Sequence, residues 1–262
     1  MLWEVRIDSA HPEQAFASLR EAWRSNHNRV FVIRGDGLIG DVKQFYTDHF
    51  GQIGTPHVLA EDATIGGREA QRSGEIWMEV RYDPTIPDAY RHSANAQPLH
   101  TDGSYIPSFP NATLMACVAN AGIGGETTFI DGTDVIDALR SDQPELLRYL
   151  SQNPILHARS GDERTEFVID QRGEKPLVNW NYYCLSKDLS DADRAATQDF
   201  FEFLQTNERI ASATLSVKLN PGDAVTWKDR EVLHGRNGFE ATQHSERFLW
   251  KCAIDVGQFE GA

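Results

Sequence analysis

Cysteine is scarce in this 262-residue chain: Cys117, Cys184 and Cys252 are odd in number, far apart, and outside any CxxC or Cys-His spacing. A disulfide framework and a cysteine-based zinc site are thereby excluded, and a reducing, cytoplasmic setting is expected. No run of 18 apolar residues occurs, and the opening MLWEVRIDSAHPEQ has no basic segment followed by an apolar one. Neither a membrane span nor a secretory signal is expected. Basic residues are also few: 25 Lys+Arg against 39 Asp+Glu leave a net charge of −14, which repels nucleic-acid phosphates and anionic membranes. A small-molecule partner is expected instead. Internal repeats and low-complexity linkers are absent, so the chain reads as one domain over 1–262, its hydrophobic content of 40% being enough for one sizeable core. No feature specifies an oligomer.

What is present has a mixed beginning and a strand-rich remainder. From Pro12, the residues Ala15, Phe16, Leu19, Ala22 and Trp23 recur at helical spacing as far as Ser25. Val30 to Ile33 reads as a strand, Val42 to Phe50 as a helix stopped by Gly51, and Ile76 to Tyr82 as a strand. Further strands are predicted at Thr113 to Ala119, Glu126 to Ile130, Phe167 to Ile169, Leu177 to Trp180, Thr214 to Leu219, Ala224 to Trp227 and Arg247 to Ile254. Two helical inserts interrupt them, one at Val135 to Leu150 and one starting at the cap-like Ser190-x-x-Asp193. Many short strands after such a start suit a jelly-roll barrel flanked by helices.

The segment Gln97-Pro98-Leu99-His100-Thr101-Asp102-Gly103-Ser104-Tyr105 sets an imidazole and a carboxylate two residues apart, on one face of an extended backbone. With a distant second imidazole, such a pair can cap one face of an octahedral Fe(II) and leave three positions open. An HxD pair alone arises often by chance. Its context is Pro221-Gly222-Asp223-Ala224-Val225-Thr226-Trp227 leading into Val232-Leu233-His234-Gly235-Arg236, then Arg247 in an otherwise apolar strand. A buried arginine needs an anion, either one of the many acidic side chains or a bound carboxylate.

LHTDGSY, GGETTFIDG, PGDAVTW and VLHGR together resemble the TauD/TfdA family, in particular its clavaminate synthase-like branch, over most of the chain. The resemblance implies a double-stranded β-helix (jelly roll), mostly β with flanking helices. It implies Fe(II) held by His100, Asp102 and His234, and the cosubstrates 2-oxoglutarate and O2. It implies that Arg247, 13 positions after His234, and Thr127 hold the distal carboxylate of 2-oxoglutarate, with Thr128 as the nearby alternative. The implied reaction is hydroxylation of an unactivated C–H bond of a small polar metabolite, with release of succinate and CO2. A carboxylate at 102 speaks for oxygenation over halogenation. Desaturation, cyclisation and epoxidation use the same centre and stay open.

Candidate substrate residues are weaker signals. Strand alternation places Arg247, Leu249 and Lys251 on one face, so Lys251 either meets an anionic substrate group or lies at a solvated rim. Asn181 and Tyr182, in Trp180-Asn181-Tyr182-Tyr183, suit a pocket wall or the core, and Tyr105 could line an entrance. The substrate class so expected is an amino acid or related compound, free or tethered to a carrier protein. Two other classes compete: a jelly-roll binding module without redox chemistry, which needs no such set of ligands, arginine and threonine together, and a zinc hydrolase, which lacks an obvious general base and leaves Arg247 unexplained.

Overall fold

Strands buried on both faces need cover on both sides, and that requirement organises this chain into layers. The computed structural model describes residues 1–8, 10–25, 27–35, 40–58, 75–86, 89–159 and 161–257. In chain order its elements are β1 (Leu2–Arg6), α1 (Pro12–Arg24), β2 (Val30–Arg34), α2 (Val42–Asp48), α3 (Phe50–Ile53), β3 (Thr55–Pro56), β4 (Met78–Arg81), β5 (Gln97–His100) and β6 (Ala112–Ala119). There follow β7 (Thr127–Asp131), α4 (Gly132–Asp142), α5 (Pro144–Gln152), β8 (Pro154–Arg159), β9 (Asp162–Phe167), β10 (Ile169–Asp170), β11 (Leu177–Val178) and a 3-10 turn at Tyr182–Cys184. The last are α6 (Asp191–Thr206), α7 (Glu208–Ala213), β12 (Leu215–Val217), β13 (Ala224–Lys228), β14 (Val232–Arg236) and β15 (Phe248–Asp255).

Two sheets carry the fold. The larger runs β1-β2-β13-β6-β15-β3, with β4 also on β15, and the smaller runs β12-β7-β14-β5. All of these pairings are antiparallel except β1 with β2. Val30 and Val32, Met115 and Cys117, Val225 and Trp227, and Leu249 point inward from the large sheet and pack with Phe129 and Val232 of the small one. The alternate residues Phe31, Ile33, Leu114, Ala116 and Ile254 point outward onto α1, α2 and α3. Ile130 and Leu233 point outward from the small sheet onto α4, α5 and α6. The chain is thus a jelly roll sheathed by helices on both outer faces.

Several elements differ from their sequence expectation. The single helix expected over Val135 to Leu150 is two, because Pro144 lacks the N–H that a continuous helix requires and instead opens α5. Gly51 does not stop the second helix: it lies within α3, after a break at His49. The strand expected at Leu177 to Trp180 ends at Val178, and Phe167 to Ile169 divides between β9 and β10. Strand β1 and the ribbon β8–β9 were not anticipated; β1 is an edge strand with alternating exposure, and β9 reads Asp-Glu-Arg-Thr-Glu-Phe, polar enough to pass for a loop. The Ser190 hydroxyl does cap α6, accepting from the Asp193 N–H at 3.1 Å.

Candidate metal centre

β5 and β14 are antiparallel neighbours in the small sheet, and their register sets His100 directly opposite His234. Cross-strand partners share a face, which brings the two rings to a centroid separation of 4.2 Å. Asp102 follows β5 by two residues, and its carboxylate comes to 3.8 Å from Nε2 of each histidine. Ligand atoms of all three lie within 4.8 Å of one another. His234 shares its face with Val232, and Val232 belongs to the inner cluster, so the three converge inside the barrel.

Close packing sets this geometry. His234 lies between His100 and the buried Trp227 ring, 4.6 Å away. The next residue, Gly235, has no room for a side chain: a Cβ there would lie 2.6 Å from the Gln97 carbonyl oxygen and 3.0 Å from the Thr128 hydroxyl. The His100 Nδ1–H donates to the Pro98 carbonyl at 2.9 Å, which leaves the Nε2 lone pair pointing at the cluster. Gln97 Nε2 lies 3.2 Å from that nitrogen. Burial lowers the proton affinity of both imidazoles, strongly for His234, where the neighbouring His100 adds to the effect. Both rings are therefore neutral and ready to donate. Burial opposes the charge on Asp102, yet the neighbouring groups, Lys251 foremost through its charge and its hydrogen bond, hold the carboxyl far below the usual range. Two neutral imidazoles and one ionised carboxylate fit a divalent transition metal with open positions.

Lys251 points inward from β15, with Nζ 2.5 Å from Asp102 Oδ2. Thr113 adds a hydroxyl donor to the same oxygen at 3.1 Å. Asp229, in the turn that carries the chain from β13 of the large sheet to β14 of the small one, is buried beside His234: its Oδ1 lies 4.0 Å from His234 Nδ1 and accepts from Trp227 Nε1 at 3.2 Å and from the Asp102 N–H at 3.4 Å. Burial, and then the like charge of Asp102, push its carboxyl well above the usual value. Neither Asp229 nor Thr113 stands out in the sequence. A carboxylate five positions before His234 was the available signal, but only the turn from one sheet to the other aims it at the ligand.

Arg247 is 2% exposed, its Nε donating to the Gly125 carbonyl at 3.2 Å. Among the described residues it has no carboxylate partner, and burial, with Arg236 nearby, lowers its pKa to about 9. Thr127 pairs in register with Arg236 and shares its face with Phe129, the inward face that also carries His234; Thr128 is on the other. A cavity of about 400 Å³ opens beside the cluster, lined by His100, Asp102, His234, Lys251 and the candidates Tyr105, Asn181 and Tyr182. The Asn181 side chain accepts from the Tyr183 N–H at 3.2 Å and so caps the 3-10 turn. The Tyr182 ring stacks on Phe201 of α6, and its hydroxyl donates to Gln198 at 2.5 Å.

Residues 4–253 match the family model described as taurine catabolism dioxygenase TauD, TfdA family. Human gamma-butyrobetaine dioxygenase is 24% identical over 166 residues, 58% of this chain and 42% of that protein. The chain thus aligns with less than half of that relative's length. A uridine-5'-phosphate dioxygenase from Streptomyces sp is 25% identical over 225 residues, 75% of this chain and 79% of that protein. Among solved structures, an asparagine oxygenase in complex with Fe(II), 2S,3S-3-hydroxyasparagine and succinate superposes with a TM-score of 0.74 at 13% identity, covering 97% of this chain and 94% of that one. At that identity the likeness is one of fold.

Proposed function

Since this chain belongs to the TauD/TfdA family, we propose that it is an Fe(II)- and 2-oxoglutarate-dependent dioxygenase that hydroxylates a small, amino-acid-like metabolite. The observation that carries the reading is the convergence of His100, Asp102 and His234 on one cavity in the barrel interior. Fe(II) bound there supplies oxidative decarboxylation of 2-oxoglutarate, giving succinate and CO2, coupled to oxidation of a substrate C–H bond.

The residues divide the work. His100, Asp102 and His234 would hold Fe(II), and three protein ligands would leave room for exchangeable ones. Arg247, buried without a carboxylate partner among the described residues, and Thr127, on the same inward face as His234, would hold the distal carboxylate of 2-oxoglutarate. Lys251, Tyr105, Asn181 and Tyr182 shape the substrate pocket. Arg91 and Arg159 line it too, and Asp102 is the one carboxylate among its described lining residues. An anionic substrate suits such a wall in an otherwise acidic protein. Relatives named for gamma-butyrobetaine and uridine-5'-phosphate are consistent with that chemistry.

The test pairs metal content with succinate release across amino acids, related anionic metabolites and their carrier-tethered forms, under Fe(II), 2-oxoglutarate and O2. Substrate-dependent succinate with an equimolar oxygenated product supports the reading. Iron binding without succinate release for any compound points to a binding module. Zinc retention with hydrolytic turnover points to a hydrolase.

A further inference from the structure

The two histidines are held differently. His100 has its outer nitrogen satisfied, Nδ1 donating to the Pro98 carbonyl at 2.9 Å. His234 does not: its Nδ1 is buried and has no hydrogen-bond partner among the described residues. If Nε2 binds a metal, Nδ1 must carry the ring's proton, and a buried N–H without an acceptor is costly. Among the described residues, the carboxylate that approaches that nitrogen is Asp229, with Oδ1 at 4.0 Å.

Asp229 is itself placed for more than its turn. Among the described residues its oxygens bond no N–H of the turn backbone; Oδ1 accepts instead from the Trp227 indole and the Asp102 N–H, and Oδ2 is buried with no partner. One carboxylate therefore touches the backbone of Asp102 and the Trp227 ring packed on His234, and stands 4.0 Å from His234 itself. The unpartnered Nδ1 lies 4.0 Å from Asp229 Oδ1, a gap that a shift of about 1 Å would close into a hydrogen bond.

Resting on the metal assignment above, we propose that Asp229 is a positioning residue of the metal centre: it accepts the Nδ1 proton of His234 when Nε2 coordinates, and through the Asp102 N–H it keeps the two ligands in register. Outer partners of this kind fix a histidine's tautomer and orientation, and losing one typically weakens metal affinity about 10- to 100-fold.

Co(II), followed by its electronic absorption, is the probe, so that no turnover is needed. Asp229→Leu, which removes every acceptor, lowers Co(II) affinity about 10- to 100-fold, and Asp229→Asn, which retains an acceptor oxygen, recovers most of the loss. Unchanged affinity in a folded Asp229→Leu protein overturns the proposal, as do equal losses in both variants. Should the leucine variant fail to fold, the wild-type protein decides. Loaded with Zn(II), it shows an exchange-protected His234 Nδ1 proton by NMR; rapid exchange of that proton overturns the role. Failure of the metal assignment looks different: wild type takes up no Co(II), or His100→Ala takes up as much as wild type.

Discussion

Arg236 and Arg247 set their guanidinium carbons 5.1 and 5.5 Å from the centroid of the same ring, Phe239. Both are buried, and burial lowers the pKa of Arg236 to about 10 as it does that of Arg247 to about 9. Arg236 spends one terminal nitrogen on the Ser93 and Asn95 carbonyls, at 2.9 and 2.5 Å. Two desolvated cations beside one aromatic ring make a strong demand for an anion. Arg247→Ala is expected to weaken 2-oxoglutarate by about 2–4 kcal/mol, roughly 30- to 1000-fold. Thr127→Val costs about 1 kcal/mol, since one neutral hydrogen bond is lost and shape is kept. Cosubstrate titration of both variants checks the division; equal, small effects would contradict it.

Each of His100→Ala, Asp102→Ala and His234→Ala is expected to abolish turnover and release the metal, because two remaining ligands leave the ion largely to water. Asp102→Gly likewise ends hydroxylation. Metal content and succinate release, measured on the same preparations, check this; full activity in any one removes that residue from the ligand set.

Lys251→Met keeps much of the side chain's volume and deletes the charge facing Asp102. We expect kcat/KM for an anionic substrate to fall by about 1–3 kcal/mol equivalent, with 2-oxoglutarate affinity little changed. Divalent-metal affinity should hold or rise, since a cation is removed from beside the ligand. If substrate kinetics are untouched, the ammonium serves Asp102 alone.

His157, on β8 beside Trp180, offers a pH prediction away from the metal ligands. Burial lowers its pKa from 6.5 to about 4 in the folded chain. The unfolded chain takes up the proton first, so its stabilising contribution is complete above pH 6.5 and is lost as pH falls toward 4. The loss is on the order of 3 kcal/mol. Urea unfolding at several pH values should show a flatter acid limb for His157→Gln; parallel profiles would contradict the assignment.

How far the sequence disclosed this site follows from how local each relation is. His100 and Asp102 are two apart, and alternation along β15 turns Leu249 and Lys251 inward together, so both facts are visible in the residues alone. That β5 pairs with β14, setting His100 opposite His234, is a long-range relation, and only resemblance to a family anticipated it. The partner of Lys251 and the place of Asp229 depend on side-chain reach and on a turn between the two sheets, neither of which leaves a periodic mark. Pro144 shows the opposite case, a break written plainly in one residue but overridden by apolar spacing that continues across it.

Gly235 gives the metal centre its bite. The distance between the two imidazoles is fixed by how closely β14 approaches β5, and that approach depends on a missing carbon, since a Cβ at this position would stand 2.6 Å from the Gln97 carbonyl oxygen. The obstacle is main chain, which cannot swing aside as a side chain can. A single added methyl would therefore wedge the strands apart and widen the jaws of the chelate while every ligand stayed in place. The chemistry of this barrel can be lost at a position that contributes no functional group at all.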